Sequence, residues 1–164
     1  MSILKILVLL IVVSFEKPSD ECSKIYLIRH AEKVRTDKSD RDPDLNSQGF
    51  MRAENWKEYF TDKDISKIYS TNYKRTLKTV KPLAENNNLE IIIYSSDEIV
   101  YKDFLDLSIG ENTVVVGHSN TIPDFVNNLI NVDYYEQIDD LTNSNLYVVS
   151  LCNSSITHEL ITID

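Results

Sequence analysis

Three short segments carry residue types that suit one kind of chemistry. Arg29-His30-Ala31-Glu32-Lys33 follows an apolar run at 24–28. Ser70-Thr71 with Arg75-Thr76 follows one at 65–69, and Gly117-His118-Ser119-Asn120 follows one at 113–116. If those runs are strands of one open α/β sheet, all three segments stand at the carboxyl edge, where such sheets bind ligands. Two imidazoles and two guanidiniums then face one crevice. A neutral imidazole can attack phosphorus and hold the phosphoryl group until water displaces it. Two Arg forks and a second imidazole can neutralise the charge on the transferred oxygens. Lys would bring charge without the planar fork, so Arg at both positions matters as a type. Taken singly the motifs say little, because an Arg-His pair at a strand end is commonly structural and Gly-His-Ser is commonly a capped turn. Their conjunction with Arg75 points to catalysis.

The elements that must position these residues follow from periodicity. The runs at 24–28 and 113–116 are nearly continuous and apolar, as strands buried on both faces should be. Runs at 65–69 and 89–94 supply two more strands. Between them the spacing predicts four helices. The first covers 48–60, capped by Asn46 or Ser47, with Met51, Trp56, Tyr59 and Phe60 to one side. The second covers 73–85 and runs through Pro82, which can kink or divide it. The others cover 97–107 and 121–130, the last with Pro123 in its first turn. Runs at 146–151 and 156–163, separated by Asn153-Ser154-Ser155, predict a hairpin. Strands alternating with helices predict an α/β three-layer sandwich with a mostly parallel central sheet and that C-terminal hairpin. A length of 164 residues suits one domain, read over 24–164 after a polar lead-in at 15–23.

At the motif residues the chain resembles the histidine phosphatase superfamily, the phosphoglycerate-mutase-like proteins. Ile28-Arg29-His30-Ala31-Glu32-Lys33, Ile68-Tyr69-Ser70-Thr71 with Arg75-Thr76, and Val116-Gly117-His118-Ser119 match in order and spacing over roughly residues 24–130. The resemblance implies a metal-independent phosphatase, without a cofactor, acting on a phosphorylated small molecule or a phosphoprotein. It implies that His30 is the phosphorylated nucleophile and that Arg29, Arg75 and His118 form the phosphate pocket, with Ser119 beside it. The small size resembles the compact members that include phosphohistidine phosphatases. Ala31 and the residues after it depart from the pattern of true mutases, which counts against glycolytic mutase activity. The family often takes its proton donor from an acid after the third strand, and Asp97 and Glu98 are the candidates there. Lys33 reads either as pocket rim or as a salt-bridge partner of Glu32 or nearby acids. Arg35, Arg41 and Arg52 read as substrate mouth or as solvated charge. A non-catalytic phosphate-binding or scaffold module of the same fold is the rival reading.

Composition bounds the partners. Lys and Arg number 17 against 26 Asp and Glu, a net charge of −9. From Asp97 onward one base, Lys102, faces twelve acids. A nucleic-acid partner held on a broadly basic surface is therefore not expected, and phosphate attraction must be local. Residues 1–14, with Lys5 ahead of an apolar run at 6–13 and Ser14, read as a secretory signal too short to span a membrane. The mature protein is expected to be exported, periplasmic or extracellular, without stable membrane insertion. Retention of the segment would make it membrane-associated. In an oxidising compartment Cys22 and Cys152 can pair, or they can stay as two buried thiols. No Cys-His cluster has metal-ligand spacing. His158 alternates with apolar neighbours and reads as structural.

Overall fold

The computed structural model describes residues 22–153 and 155–163, so the signal-peptide reading lies outside the described residues. The chain runs β1 (Ser23–Arg29), α1 (Ser47–Phe60), β2 (Ile65–Ser70), α2 (Lys74–Asn87), β3 (Ile91–Ile93), α3 (Tyr101–Ser108), β4 (Asn112–Gly117), α4 (Thr121–Ile130), β5 (Asn145–Cys152) and β6 (Ser155–Thr162). One six-stranded sheet results, in the order β3-β2-β4-β1-β5-β6. β1 to β4 pair in parallel, whereas β5 is antiparallel to β1 and β6 antiparallel to β5. The alternating α/β reading and the C-terminal hairpin are both seen.

Alternation along the strands builds the three layers. Tyr26 and Ile28 of β1 join Val114 and Val116 of β4 on one face, against Trp56 and Phe60 of α1 and Val80 and Leu83 of α2. Ile25, Leu27 and Val115 point the other way, onto Phe104 of α3 and Ile122, Phe125 and Leu129 of α4. That is why the two central runs show no polar alternation. Each fully buried Ile, Leu or Phe contributes about 1.5–3 kcal/mol, so most of the stability lies in these two cores.

Local signals set the helix ends. Asn46 caps α1, its side chain accepting from the Gly49 N–H at 2.9 Å. α2 ends where Asn88 turns left-handed at φ 51°. It runs through Pro82 as one helix. Two boundaries differ from the periodicity. β3 is three residues long, pairing with Ile68 to Ser70 of β2. α3 begins at Tyr101 instead of 97, since the Glu98 N–H bonds to the Ser95 carbonyl at 3.2 Å and holds a turn there.

Candidate active site

The sheet order makes β2, β4 and β1 adjacent, and their register makes their ends level. Arg29 pairs with Gly117, and Ser70 pairs with Val116. The His30 N–H donates to the Gly117 carbonyl at 2.9 Å. One step past this line, the His30 and His118 rings lie 5.5 Å apart, edge to face. Gly117 permits the approach of α4: a Cβ there would stand 2.9 Å from both Thr121 Oγ1 and the Tyr94 hydroxyl.

His30 is buried and held in one tautomer. Its Nδ1 lies 2.7 Å from the Ala31 carbonyl. A carbonyl only accepts, so Nδ1 carries the proton and Nε2 keeps its lone pair. Burial, then the nearby charges of Arg29, His118 and Arg75, push the His30 imidazole down to about 3, against the partial opposition of the Ala31 bond. The ring is neutral at pH 7. Its backbone is fastened on both sides: buried Asn143 donates to the His30 carbonyl at 2.8 Å, and the Ala31 N–H donates to Thr79 Oγ1 at 2.8 Å.

His118 is neutral by the same logic, pushed down to about 4 by burial and then by Arg75, Lys33 and Arg29. Its Nδ1 faces the Arg75 guanidinium at 3.4 Å and can only accept there, so Nε2–H donates to Thr71 Oγ1 at 3.0 Å. Thr71 donates onward to Thr76, which donates to the Thr71 carbonyl. Arg75 also lies over the Tyr73 ring at 4.4 Å and 3.6 Å from Asp42. Arg29 is 1% exposed. The Nε–H groups of Arg29 and Arg75 are both buried without a hydrogen-bond partner. Two desolvated guanidinium donors beside two neutral imidazoles invite an oxyanion.

A sequence profile of the histidine phosphatase superfamily (branch 1) matches residues 25–107, half of the chain. The chain belongs to the histidine phosphatase superfamily. No curated protein matches it in sequence. Solved structures share the fold at low identity. The protein histidine phosphatase SixA complexed with tungstate aligns at TM-score 0.67 and 15% identity, over 85% of this chain and 96% of that one. The mycobacterial glucosyl-3-phosphoglycerate phosphatase with inorganic phosphate aligns at 0.65 and 14%, over 85% and 96%. The Shigella flexneri alpha-ribazole phosphatase aligns at 0.65 and 12%, over 85% and 96%. The chain therefore has the compact size of these histidine phosphatase folds. The family match ends before β4, so it is the tertiary structure that sets His118 against His30.

The remaining candidates fall in different places around this histidine phosphatase core. Asp97 and Glu98 are exposed, in the turn before α3, and line a cleft of about 750 Å³ with Tyr73, Arg75 and His118. Lys33 is half-buried, and burial followed by Arg75 and Arg35 lowers its pKa. It makes no salt bridge to Glu32, which pairs with Arg52 at 2.8 Å. Arg35 pairs with Asp140. Arg41 enters through its backbone, whose carbonyl accepts from Arg75 at 3.4 Å. Ser119 is half-buried beside His118, its carbonyl accepting from the Ile138 N–H, and it does not line the cleft. His158 bonds through Nδ1 to the Tyr135 hydroxyl at 2.8 Å. Cys22 and Cys152 are joined as a disulfide, which resolves the two cysteine readings. Sequence reasoning missed Tyr73, Thr79, Asp140 and Asn143. Only Thr79 had a usable signal, its spacing of four from Arg75 on one helix face.

Proposed function

We propose that the protein is a phosphatase that works through a covalent phosphohistidine on His30. The observation that carries this reading is the His30 tautomer: a neutral ring with Nε2 unprotonated, beside two buried Arg Nε–H donors that lack partners. Nε2 attacks phosphorus while the bond to the leaving oxygen breaks. Arg29, Arg75 and His118 hold the equatorial oxygens, and Asp97 or Glu98 from the cleft wall gives its proton to the leaving oxygen. The same carboxylate then takes a proton from water, which attacks phosphorus, breaks the P–N bond and frees phosphate. The cations of the pocket are side chains, so no metal is required in these steps. The substrate class is a phosphomonoester or phosphohistidine, on a small molecule or a protein. Hydrolysis of an aryl phosphate in the presence of a chelator tests this, with His30→Ala slower by roughly a thousandfold or more. Equal rates would remove the nucleophile. Absence of a base-stable, acid-labile phosphoryl label on His30 after alkaline quench, with phosphate still bound, would favour a binding module instead.

We also propose export. The apolar segment at 6–13 and the Cys22–Cys152 disulfide support it together, because disulfides persist in oxidising compartments. N-terminal sequencing of the secreted chain should begin near Phe15; a start at Met1 would refute cleavage.

A further inference from the structure

Arg29 has five N–H donors, and three of them are already engaged. Its Nη1 donates to the carbonyls of Asp139 at 2.8 Å and Thr142 at 3.0 Å, and its Nη2 donates to Asp140 Oδ1 at 2.7 Å. These bonds occupy Nη1 fully and half of Nη2. What remains is the Nε–H, buried without a partner, and one Nη2 hydrogen. Those two donors can form the side-on edge of the guanidinium, which suits two oxygens of one phosphoryl group. The other oxygen of Asp140 is held by Arg35, whose Nη2 also donates to the Asp140 carbonyl at 2.7 Å. Arg35 thus lies at the far end of a chain that runs through Asp140 to Arg29.

We infer that Asp140, fastened by Arg35, is a positioning residue that turns the free edge of Arg29 toward the phosphoryl group. This rests on the phosphate pocket proposed above and extends it to a loop no motif marks. Neither Asp140 nor Arg35 then needs to touch substrate. The Asp140 side chain is 63% exposed, whereas that of Arg29 is 2% exposed. Among the described residues, the hydrogen bonds from Arg29 Nη1 and Nη2 all go to the 139–142 loop.

The sign of one substitution separates positioning from simple charge. Asp140 is an anion near an anion site, so removing its charge without any positioning effect would tighten phosphate binding. Positioning predicts the opposite. Asp140→Ala should weaken binding of inorganic phosphate, measured by calorimetry, by about tenfold, the loss expected for one charge-assisted hydrogen bond. Asp140→Asn keeps an acceptor for Nη2 and should bind as the wild type does or tighter. In an Arg29→Lys background, Asp140→Ala should no longer weaken binding, because no fork remains to be aimed, and loss of the charge should leave phosphate bound as tightly or tighter. Thermal melting of every variant separates these changes from unfolding. If Asp140→Ala binds phosphate as tightly as the wild type, or tighter, the assignment is overturned while the pocket stands. If the wild type itself binds no phosphate, the pocket reading fails and the assignment fails with it.

Discussion

Two neutral histidines among guanidiniums are the feature from which the chemistry follows. His30 and His118 both lie below the ordinary value of 6.5, at about 3 and about 4, because burial removes the water that would solvate a charged ring. The unfolded chain therefore takes up protons below pH 6.5 that the folded chain refuses. The stability linked to these rings is present above pH 6.5 and is lost as pH falls toward 4 and then 3. In the phosphate-free protein, the ring-proton NMR signals of His30 and His118 should keep their neutral shifts from pH 8 down to 5. A midpoint near 6.5 for His30 would show that the ring is solvated and the nucleophile not pre-set. Arg29, His30, Arg75 and His118 were legible in sequence because rare types coincide with strand ends. Asn143 and Asp140 were not, because an irregular loop has no period to place its side chains.

At the scale of elements, the site depends on how closely α1 and α2 pack on the segment after β1. Gly49 of α1 lies so close to the Glu32 backbone that a Cβ there would stand 2.1 Å from the Glu32 carbonyl oxygen. Gly49→Ala must push α1 away from residues 31–33. It should cost about 2 kcal/mol in denaturant unfolding and lower turnover as well, because the Ala31 carbonyl accepts the hydrogen bond from His30 Nδ1–H. An unchanged midpoint would show that the segment yields freely. Thr79→Val strands the buried Ala31 N–H and should cost about 1–3 kcal/mol. The two misplaced boundaries have a shared cause. Periodicity reports which residues are apolar, while the extent of β3 and the start of α3 are set by backbone hydrogen bonds, the ladder to β2 and the turn at Ser95–Glu98. Ile92 and Ile93 read as strand core yet are 42% and 51% exposed at the sheet edge.

Over the whole molecule, the disulfide and the proposed phosphate pocket occupy opposite ends of β1. Cys22 precedes Ser23, and Arg29 lies seven residues beyond Cys22, a span of about 23 Å at roughly 3.3 Å per residue. The bond closes a sequence separation of 130 residues. Replacing both cysteines by Ser should lower stability by about 2–4 kcal/mol and leave aryl-phosphate turnover at wild-type level under folding conditions. Loss of turnover at a temperature where the variant is folded would mean that the two ends of β1 are coupled. The net charge of −9 is compatible with an anion site because its cations are concentrated. Arg29, Arg75 and Lys33 each appear among the charges acting on His118.

By itself the sequence determined the alternation of strands and helices, the three motif segments and the pairing of two Arg with two His. These depend on residue type and on spacing within one element, and both are local. Tertiary structure decided what depends on separation along the chain. Strand order set His118 beside His30 across 88 positions, and the 139–142 loop closed on Arg29 across more than a hundred. It also sent Glu32 to Arg52. Which of several charges a side chain meets is settled by packing, because acids and bases of the same type lie within reach of each and only the folded distances distinguish them.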